Sequence, residues 1–234
     1  MAKSCSQTFT FYYPWEKVAF AINNRYTTNS YSSHVISEDV ISKEIKDNKL
    51  YIKKIIVKTS KIPKWAEKII PARSVPILEE CIIDPLNKIY VSSKQNIMHQ
   101  KFMMAREYCT YTQDNVSPNI TNCEKKAWVD SKIFGFATAI KRYGIEKYKS
   151  NSTKADIGLN LVLEKFNQID VGGNNYSFDS QGKKQSWRQI FSKKYLSRKL
   201  LHAKNRINYA PQQNYKNHDT VIEKALTYIH TNLF

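Results

Sequence analysis

Lys46-Asp47-Asn48-Lys49 separates two runs of alternating residues, and the second run puts Leu50, Ile52, Lys54, Ile56 and Lys58 on one face. Side chains of a strand point to opposite faces in turn, so strict alternation marks a strand that buries one side. A polar turn between two such runs predicts a hairpin. The same texture recurs downstream. Runs over residues 79–84, 88–96, 98–112 and 120–129 are separated by Asp84-Pro85-Leu86-Asn87 and by a Ser-Pro-Asn loop near residues 114–119. A shorter aromatic run covers residues 8–13. Successive strands joined by tight turns can only pair antiparallel. The face shared by two lysines and three aliphatics is unusual for packing against an ordinary core.

Helical periodicity occurs twice. Pro14 suits the first position of a helix, where its missing N–H costs nothing. Trp15, Val18, Ala19, Ile22 and Tyr26 follow at helical spacing. A second, longer helix is predicted over residues 131–166. Its stripe holds Ile133, Phe136, Ala137, Ile140, Gly144, Tyr148, Ala155, Gly158, Leu161 and Val162. At 100° per residue Lys147, Asn151 and Lys154 fall inside that stripe, and breaks in patterning are where function is expected. Residues 60–78 break both periods, with Pro63, Pro71 and Pro76 as punctuation. Ile62, Trp65, Ile69 and Ile70 form a short amphipathic turn inside this segment. Loops of that length are usually functional or mobile, and these apolar residues either close the core or engage a membrane surface.

The formal charge is +17, which favours anionic partners such as nucleic acid, an anionic membrane or acidic ligands. Part of that excess is a solvated basic surface. The composition divides the chain into a domain over residues 1–170 and a basic tail over residues 171–234. An amphipathic helix within residues 186–207 of the tail could lie in a membrane interface, dock on the domain or be disordered. No apolar run approaches the ~18 residues that span a bilayer, and residues 1–10 resemble neither a secretory signal nor a cleaved presequence. Cys5, Cys81, Cys109 and Cys123 lack metal or redox spacing and read as free, buried thiols. The five histidines are scattered, and no phosphate-binding glycine loop or nucleophile elbow occurs. No catalytic residue, metal or cofactor is therefore expected.

What remains is a set of cationic or hydrogen-bonding residues at positions expected to face inward: Arg25, His34, Lys58, Lys147, Asn151 and Lys154. An unpaired buried ammonium is costly. A cluster without matching acids asks for an external anion, with phosphate the natural candidate. The alternative is that each cation reaches solvent along its own stem.

The order of motifs resembles the PRELI/MSF1 domain family. The resemblance runs through Phe11-Tyr12-Tyr13-Pro14-Trp15-Glu16, Arg25-Tyr26, His34-Val35 and Glu38-Asp39. It continues through Pro63-Lys64-Trp65-Ala66-Glu67, Ile82-Ile83-Asp84-Pro85, Ala127-Trp128-Val129, Phe134-Gly135 and Lys149-Ser150-Asn151 with Thr153-Lys154. It implies an α+β fold in which a curved antiparallel sheet of about seven strands wraps a long C-terminal helix. Such a START-like, phosphatidylinositol-transfer-like fold encloses a lipid cavity under a lid loop. It also implies a headgroup site of Arg25, His34, Lys58, Lys61, Lys147, Asn151 and Lys154. A small helical partner with twin Cys-x9-Cys motifs and a mitochondrial intermembrane-space location follow from the same resemblance. Where relatives carry two prolines after Arg-Tyr, this chain has Thr27 and Thr28.

The expected function is non-enzymatic shuttling of an acidic phospholipid, first of all phosphatidic acid, in support of cardiolipin synthesis. Phosphatidylserine is the alternative cargo. Rival classes are a nucleic-acid-binding protein, which the charge suggests but no recognition motif supports, and a lipid-modifying enzyme of the same fold.

Overall fold

The computed structural model describes residues 1–26, 34–59, 74–170, 176–178 and 184–186. Strands β1 (Lys3–Phe11), β2 (Val35–Lys46), β3 (Lys49–Thr59), β4 (Ser74–Asp84), β5 (Ile89–Asn96), β6 (Met104–Gln113) and β7 (Thr121–Asp130) form one sheet. Helix α1 (Trp15–Asn24) follows β1, and α2 (Ala137–Asp170) follows β7. The seven strands run in the order β1-β7-β6-β5-β4-β3-β2, every pair antiparallel. This curved open sheet, with its C-terminal helix, is the α+β architecture expected from the sequence. A separate two-stranded ribbon, β8 (Tyr176–Phe178) with β9 (Lys184–Ser186), follows α2 within the span read as a basic tail.

Local chemistry explains the turns. Asp47 and Asn48 both adopt positive φ, 50° and 59°, which a two-residue hairpin needs to match strand twist. Asp84 caps the next turn, its carboxylate accepting from the Leu86 and Asn87 amides at 3.1 and 3.0 Å. Pro14 stands just before α1 as its N-cap, and its carbonyl accepts from Lys17 and Val18. Trp15, Val18, Ala19, Ala21 and Ile22 are buried, and the Trp15 indole N–H donates to the Tyr111 carbonyl at 3.3 Å.

Several boundaries differ from expectation, and β1 covers Lys3–Phe11 where residues 8–13 are the expected run. β4 starts at Ser74 and passes through Pro76, which the proline-rich reading had left in a loop. Pro76, which has no N–H to donate, lies near the start of the strand, before pairing with β5 begins at Ile77, and its carbonyl accepts from the Ile97 amide at 3.2 Å. β6 starts only at Met104, because residues 98–103 turn at His99, φ 59°. Helix α2 starts at Ala137 rather than residue 131, because Gly135 takes φ 75° and interrupts helical geometry.

The core lies between the inner sheet face and the two helices. Phe11, Trp15, Ile22, Leu50, Ile83, Tyr90 and Tyr111 meet Leu159, Val162 and Leu163 of α2 there. Gly144 lets α2 close on β7, since an added Cβ would stand 2.7 Å from a Val129 methyl. The sheet has two distinct ends. The tight turns at residues 47–48, 85–88 and 114–120 lie at one end. At the other end the chain leaves β3 at Thr59 and re-enters β4 at Ser74, and the turn at residues 98–103 meets the loop at residues 131–136. Among the described residues no helix is long and apolar enough to cross a membrane.

Candidate functional site

Register converts the alternation of single strands into rows across the inner face. Near the tight turns one row reads Leu50–Ile83–Tyr90–Tyr111–Cys123–Phe9. The next row reads Ile52–Cys81–Ser92–Cys109–Lys125–Gln7. A third row, further toward the open end, reads Lys54–Glu79–Lys94–Glu107 before Ala127. Four strands thus place charges of alternating sign directly opposite one another on a buried face. Opposite charges at facing positions stabilise a sheet, and like charges there would not.

Glu79 is the hub. It is fully buried, and its carboxylate lies 2.9 Å from Arg25, 3.6 Å from Lys94 and 3.7 Å from Lys54. Lys54 also donates to Glu38 at 2.8 Å, and Lys94 lies 3.4 Å from Glu107. Burial alone would raise the Glu79 carboxyl, but Arg25, Lys94 and Lys54 together hold it well below the usual range. Glu107 behaves alike: burial opposes ionisation, yet Lys94, the Cys109 thiol and Lys125 bring it down to about 2. Burial also works against Lys54 and Lys94, but neighbouring carboxylates outweigh it and keep both ammonium groups charged.

Arg25 and Lys58 converge on Tyr26. The Arg25 guanidinium lies 4.7 Å from the ring centroid, and Lys58 donates to the Tyr26 hydroxyl at 3.4 Å. Burial would raise the Tyr26 phenol, but these two cations lower it overall. The hydrogen-bond partner of Lys58 is thus a phenol rather than a carboxylate. His34 stands exposed at the same end, its carbonyl accepting from the Thr59 amide at 2.8 Å.

A second ionic contact ties sheet to helix. Lys125 of β7 donates to Asp156 of α2 and lies 3.3 Å from Ser152, with its ammonium 4.7 Å from the Phe9 ring centroid. Both charged side chains are under a tenth exposed. Burial pushes the Asp156 carboxyl up, and Lys125 offsets part of that rise.

The expected residues on α2 are placed differently from the sequence reading. The buried positions there are Ile140, Gly144, Ile145, Ser152, Asp156, Gly158, Leu159, Val162 and Leu163. Asn151 and Lys154 are exposed beside this stripe, and the half-buried Lys147 donates back to Tyr143 at 3.1 Å. Ile140, Gly144, Gly158 and Val162 of the expected stripe are buried, but the middle of the helix turns Ser152 and Asp156 inward to Lys125 instead of Asn151, Lys154 and Ala155. The structure therefore brings Arg25 and Lys58 together and leaves Asn151 and Lys154 outside the buried cluster. Lys61, Ile62, Trp65, Ile69, Ile70 and the proposed tail helix beyond residue 186 lie outside the described residues.

A second correction concerns the acids. Of the expected set, Arg25 pairs with Glu79, while Glu38, Glu107 and Asp156 pair with Lys54, Lys94 and Lys125, which that set did not include. These acids, with Lys94 and Lys125, were missed because single-strand alternation does not say which strands will lie side by side. Cys81, Cys109 and Cys123 are buried free thiols and Cys5 is half-buried. Burial pushes the Cys81 thiol up to about 11 and Cys123 up to about 12, so neither is poised as a nucleophile. Among the described residues no group of histidines, cysteines and carboxylates could hold a metal. An open concavity of about 400 Å³ sits elsewhere, around Thr8, Thr110 and Asn122 on the outer face, and touches none of these charges.

Comparison with known proteins agrees with this architecture. The model of the PRELI-like family matches residues 16–169. PRELI domain-containing protein 1, mitochondrial, of Gallus gallus is 35% identical over 166 residues, spanning 70% of this chain and 77% of that protein. The Mus musculus protein of the same name is 37% identical over 154 residues, 64% of this chain and 71% of that one. The ups1 homologue of Schizosaccharomyces pombe is 28% identical over 117 residues, 49% of this chain and 68% of that one. Among solved structures, TTHA0849 from Thermus thermophilus shares the fold, with a TM-score of 0.50 at 14% identity over 70% of this chain and 98% of that one. The chain belongs to the PRELI-like family.

Proposed function

We propose that this protein carries an acidic phospholipid, phosphatidic acid, between mitochondrial membranes across the intermembrane space, and so feeds cardiolipin synthesis. The observation that carries the reading is Lys58. It is a cation on the inner sheet face, at the open end, beside Arg25 and bonded to a phenol instead of a carboxylate. A phosphate is the ligand that a cation so placed can take. The alternating Lys54–Glu79–Lys94–Glu107 row balances the surrounding charges among themselves, so the site keeps its shape before cargo arrives. Family resemblance adds His34, Lys61, Lys147, Asn151 and Lys154 to the proposed headgroup shell. Ile62, Trp65, Ile69 and Ile70 supply the proposed lid.

The physical need for a carrier is large. A diacyl lipid has roughly 30 methylenes, and at about 0.8 kcal/mol each its unaided exit into water faces roughly 20–25 kcal/mol. An apolar interior removes most of that barrier. No bond is made or broken, so no catalytic group is required. Mitochondrial location is supported by the relatives' names, and the twin Cys-x9-Cys partner follows from the family resemblance. Phosphatidylserine is the second reading, favoured by Glu79 and Glu107, which could accept from a serine ammonium.

Native mass spectrometry of the freshly purified full chain tests the proposal. Co-purified phosphatidic acid supports it, and phosphatidylserine supports the second reading. Bound nucleic acid, or chemical turnover of added lipid, contradicts both.

A further inference from the structure

We propose that the loop at residues 131–136, with the turn at residues 98–103 beside it, docks the open end of the sheet on an anionic lipid surface. The proposal deepens the carrier reading, because cargo must cross between bilayer and protein at some defined edge. Phe134 is fully exposed and Phe136 is 49% exposed. They flank Gly135, whose φ of 75° turns the chain outward, with open space around it. The loop is anchored rather than loose. The Ser131 side chain is buried and accepts from the Ile133 amide at 3.4 Å, and the Phe136 amide donates to the Ile133 carbonyl at 3.2 Å. Presenting the two rings therefore costs little additional ordering.

The surroundings select the partner. The Lys132 amide donates to the Lys101 carbonyl at 3.4 Å, which sets the two segments side by side with both lysine side chains exposed. Together with Gln100, Met104, Asp130 and Ser131 they line a notch of about 200 Å³, in which Asp130 is the one acid. Behind the rim, on the outer face, the partly exposed Trp128 stands opposite Arg106. Inserted phenyl rings, lysines at the surface and a tryptophan with an arginine slightly behind match the order of layers at a charged membrane interface. This edge is also the end where Arg25, His34 and Lys58 lie. One loop at the opposite end serves as a control: Val116 is 94% exposed, but residues 113–120 hold no lysine or arginine.

Flotation of the full chain with phosphatidylcholine vesicles, with and without phosphatidylglycerol, tests the assignment without using the proposed cargo. Wild type should float with the anionic vesicles, and less so at high salt. Phe134→Ser/Phe136→Ser and Lys101→Glu/Lys132→Glu should each lose about tenfold or more in binding. Val116→Ser should match wild type. Near-ultraviolet circular dichroism establishes that all variants are folded. Wild-type flotation of the double-Ser variant, equal loss in Val116→Ser, or equal binding to neutral vesicles overturns the proposal. Uptake of a short-chain phosphatidic acid from solution separates docking from carriage. The double-Ser variant should retain uptake. If it loses uptake along with flotation, the loop belongs to the cargo site and the docking assignment falls. If wild type itself takes up none, the carrier reading fails while flotation still decides the docking.

Discussion

Two rows of the same sheet face, four residues apart along each strand, have opposite character. Leu50, Ile83, Tyr90 and Tyr111 form a dry row under α1, whereas Lys54, Glu79, Lys94 and Glu107 form a wholly ionic one. At about 3.4 Å per residue the two are separated by roughly 14 Å. Both are buried, yet they are stabilised differently. The dry row gains from removing apolar area from water, so each member contributes on its own. The ionic row gains only if every charge keeps its neighbours, since desolvating a charge costs more than burial returns. Register on one sheet keeps these two kinds of surface apart.

The largest expected effect separates the rows by the nature of their failure. Glu79→Ala removes the hub from Arg25, Lys94 and Lys54, and should cost about 3–5 kcal/mol in urea unfolding. Ile83→Ala in the dry row should cost about 2–5 kcal/mol through its cavity. The difference lies in acid: lowering the pH below the ordinary carboxylate range should shrink the Glu79→Ala penalty and leave that of Ile83→Ala unchanged. A Glu79→Ala variant as stable as wild type would contradict the hub.

Asp156→Ala extends the comparison to α2. It leaves Lys125 buried without a carboxylate and should cost about 3 kcal/mol, and the paired change Lys125→Met/Asp156→Leu should recover much of that loss. A double variant no better than Asp156→Ala would mean that the contact positions the helix through shape rather than charge.

Acid sharpens the contrast further. The Glu107 carboxyl is brought from 4.5 to about 2 in the folded state. Its contribution is therefore present above pH ~4.5 and lost as pH falls toward 2, because the unfolded chain takes up the proton first. Glu79 acts in the same direction. Asp156, raised by burial, acts oppositely: its raised carboxyl favours the folded state at low pH, and that contribution is lost as pH rises through the raised value. Glu107→Gln should lower stability at neutral pH and flatten the fall between pH ~4.5 and 2 by up to about 3 kcal/mol. An unchanged pH profile would remove Glu107 from the network.

The strands, both helices and the mixed face of β3 are legible in the sequence because each rests on a local period. Arg25 and Lys58 emerge the same way, as polar residues on otherwise apolar faces. Glu79, Lys94 and Glu107 are not legible, since their meaning comes from pairing between strands whose register no local pattern states. Lys147, Asn151 and Lys154 show the complementary error. The helix still buries the expected Ile140, Gly144, Gly158 and Val162, but its middle turns Ser152 and Asp156 inward to Lys125, a partner on a strand that no local pattern names. Family resemblance still places those three in the proposed site, which makes their contribution to transfer informative.

The smallest stability effect belongs to packing. Gly144→Ala improves helix propensity by up to about 1 kcal/mol but drives a methyl into Val129 and Met103, for a net loss of about 1–2 kcal/mol. A gain in stability would show that α2 sits further from β7 than described.

Transfer of phosphatidic acid between donor and acceptor liposomes tests the central claim most directly, with wild type compared against Lys58→Glu. Lys58 is only half-buried and pairs with a phenol, so the variant should keep its circular dichroism spectrum while transfer falls to the protein-free rate. Wild-type transfer by a folded Lys58→Glu protein would contradict the claim that this cation, beside Arg25 at the open end of the sheet, receives the headgroup.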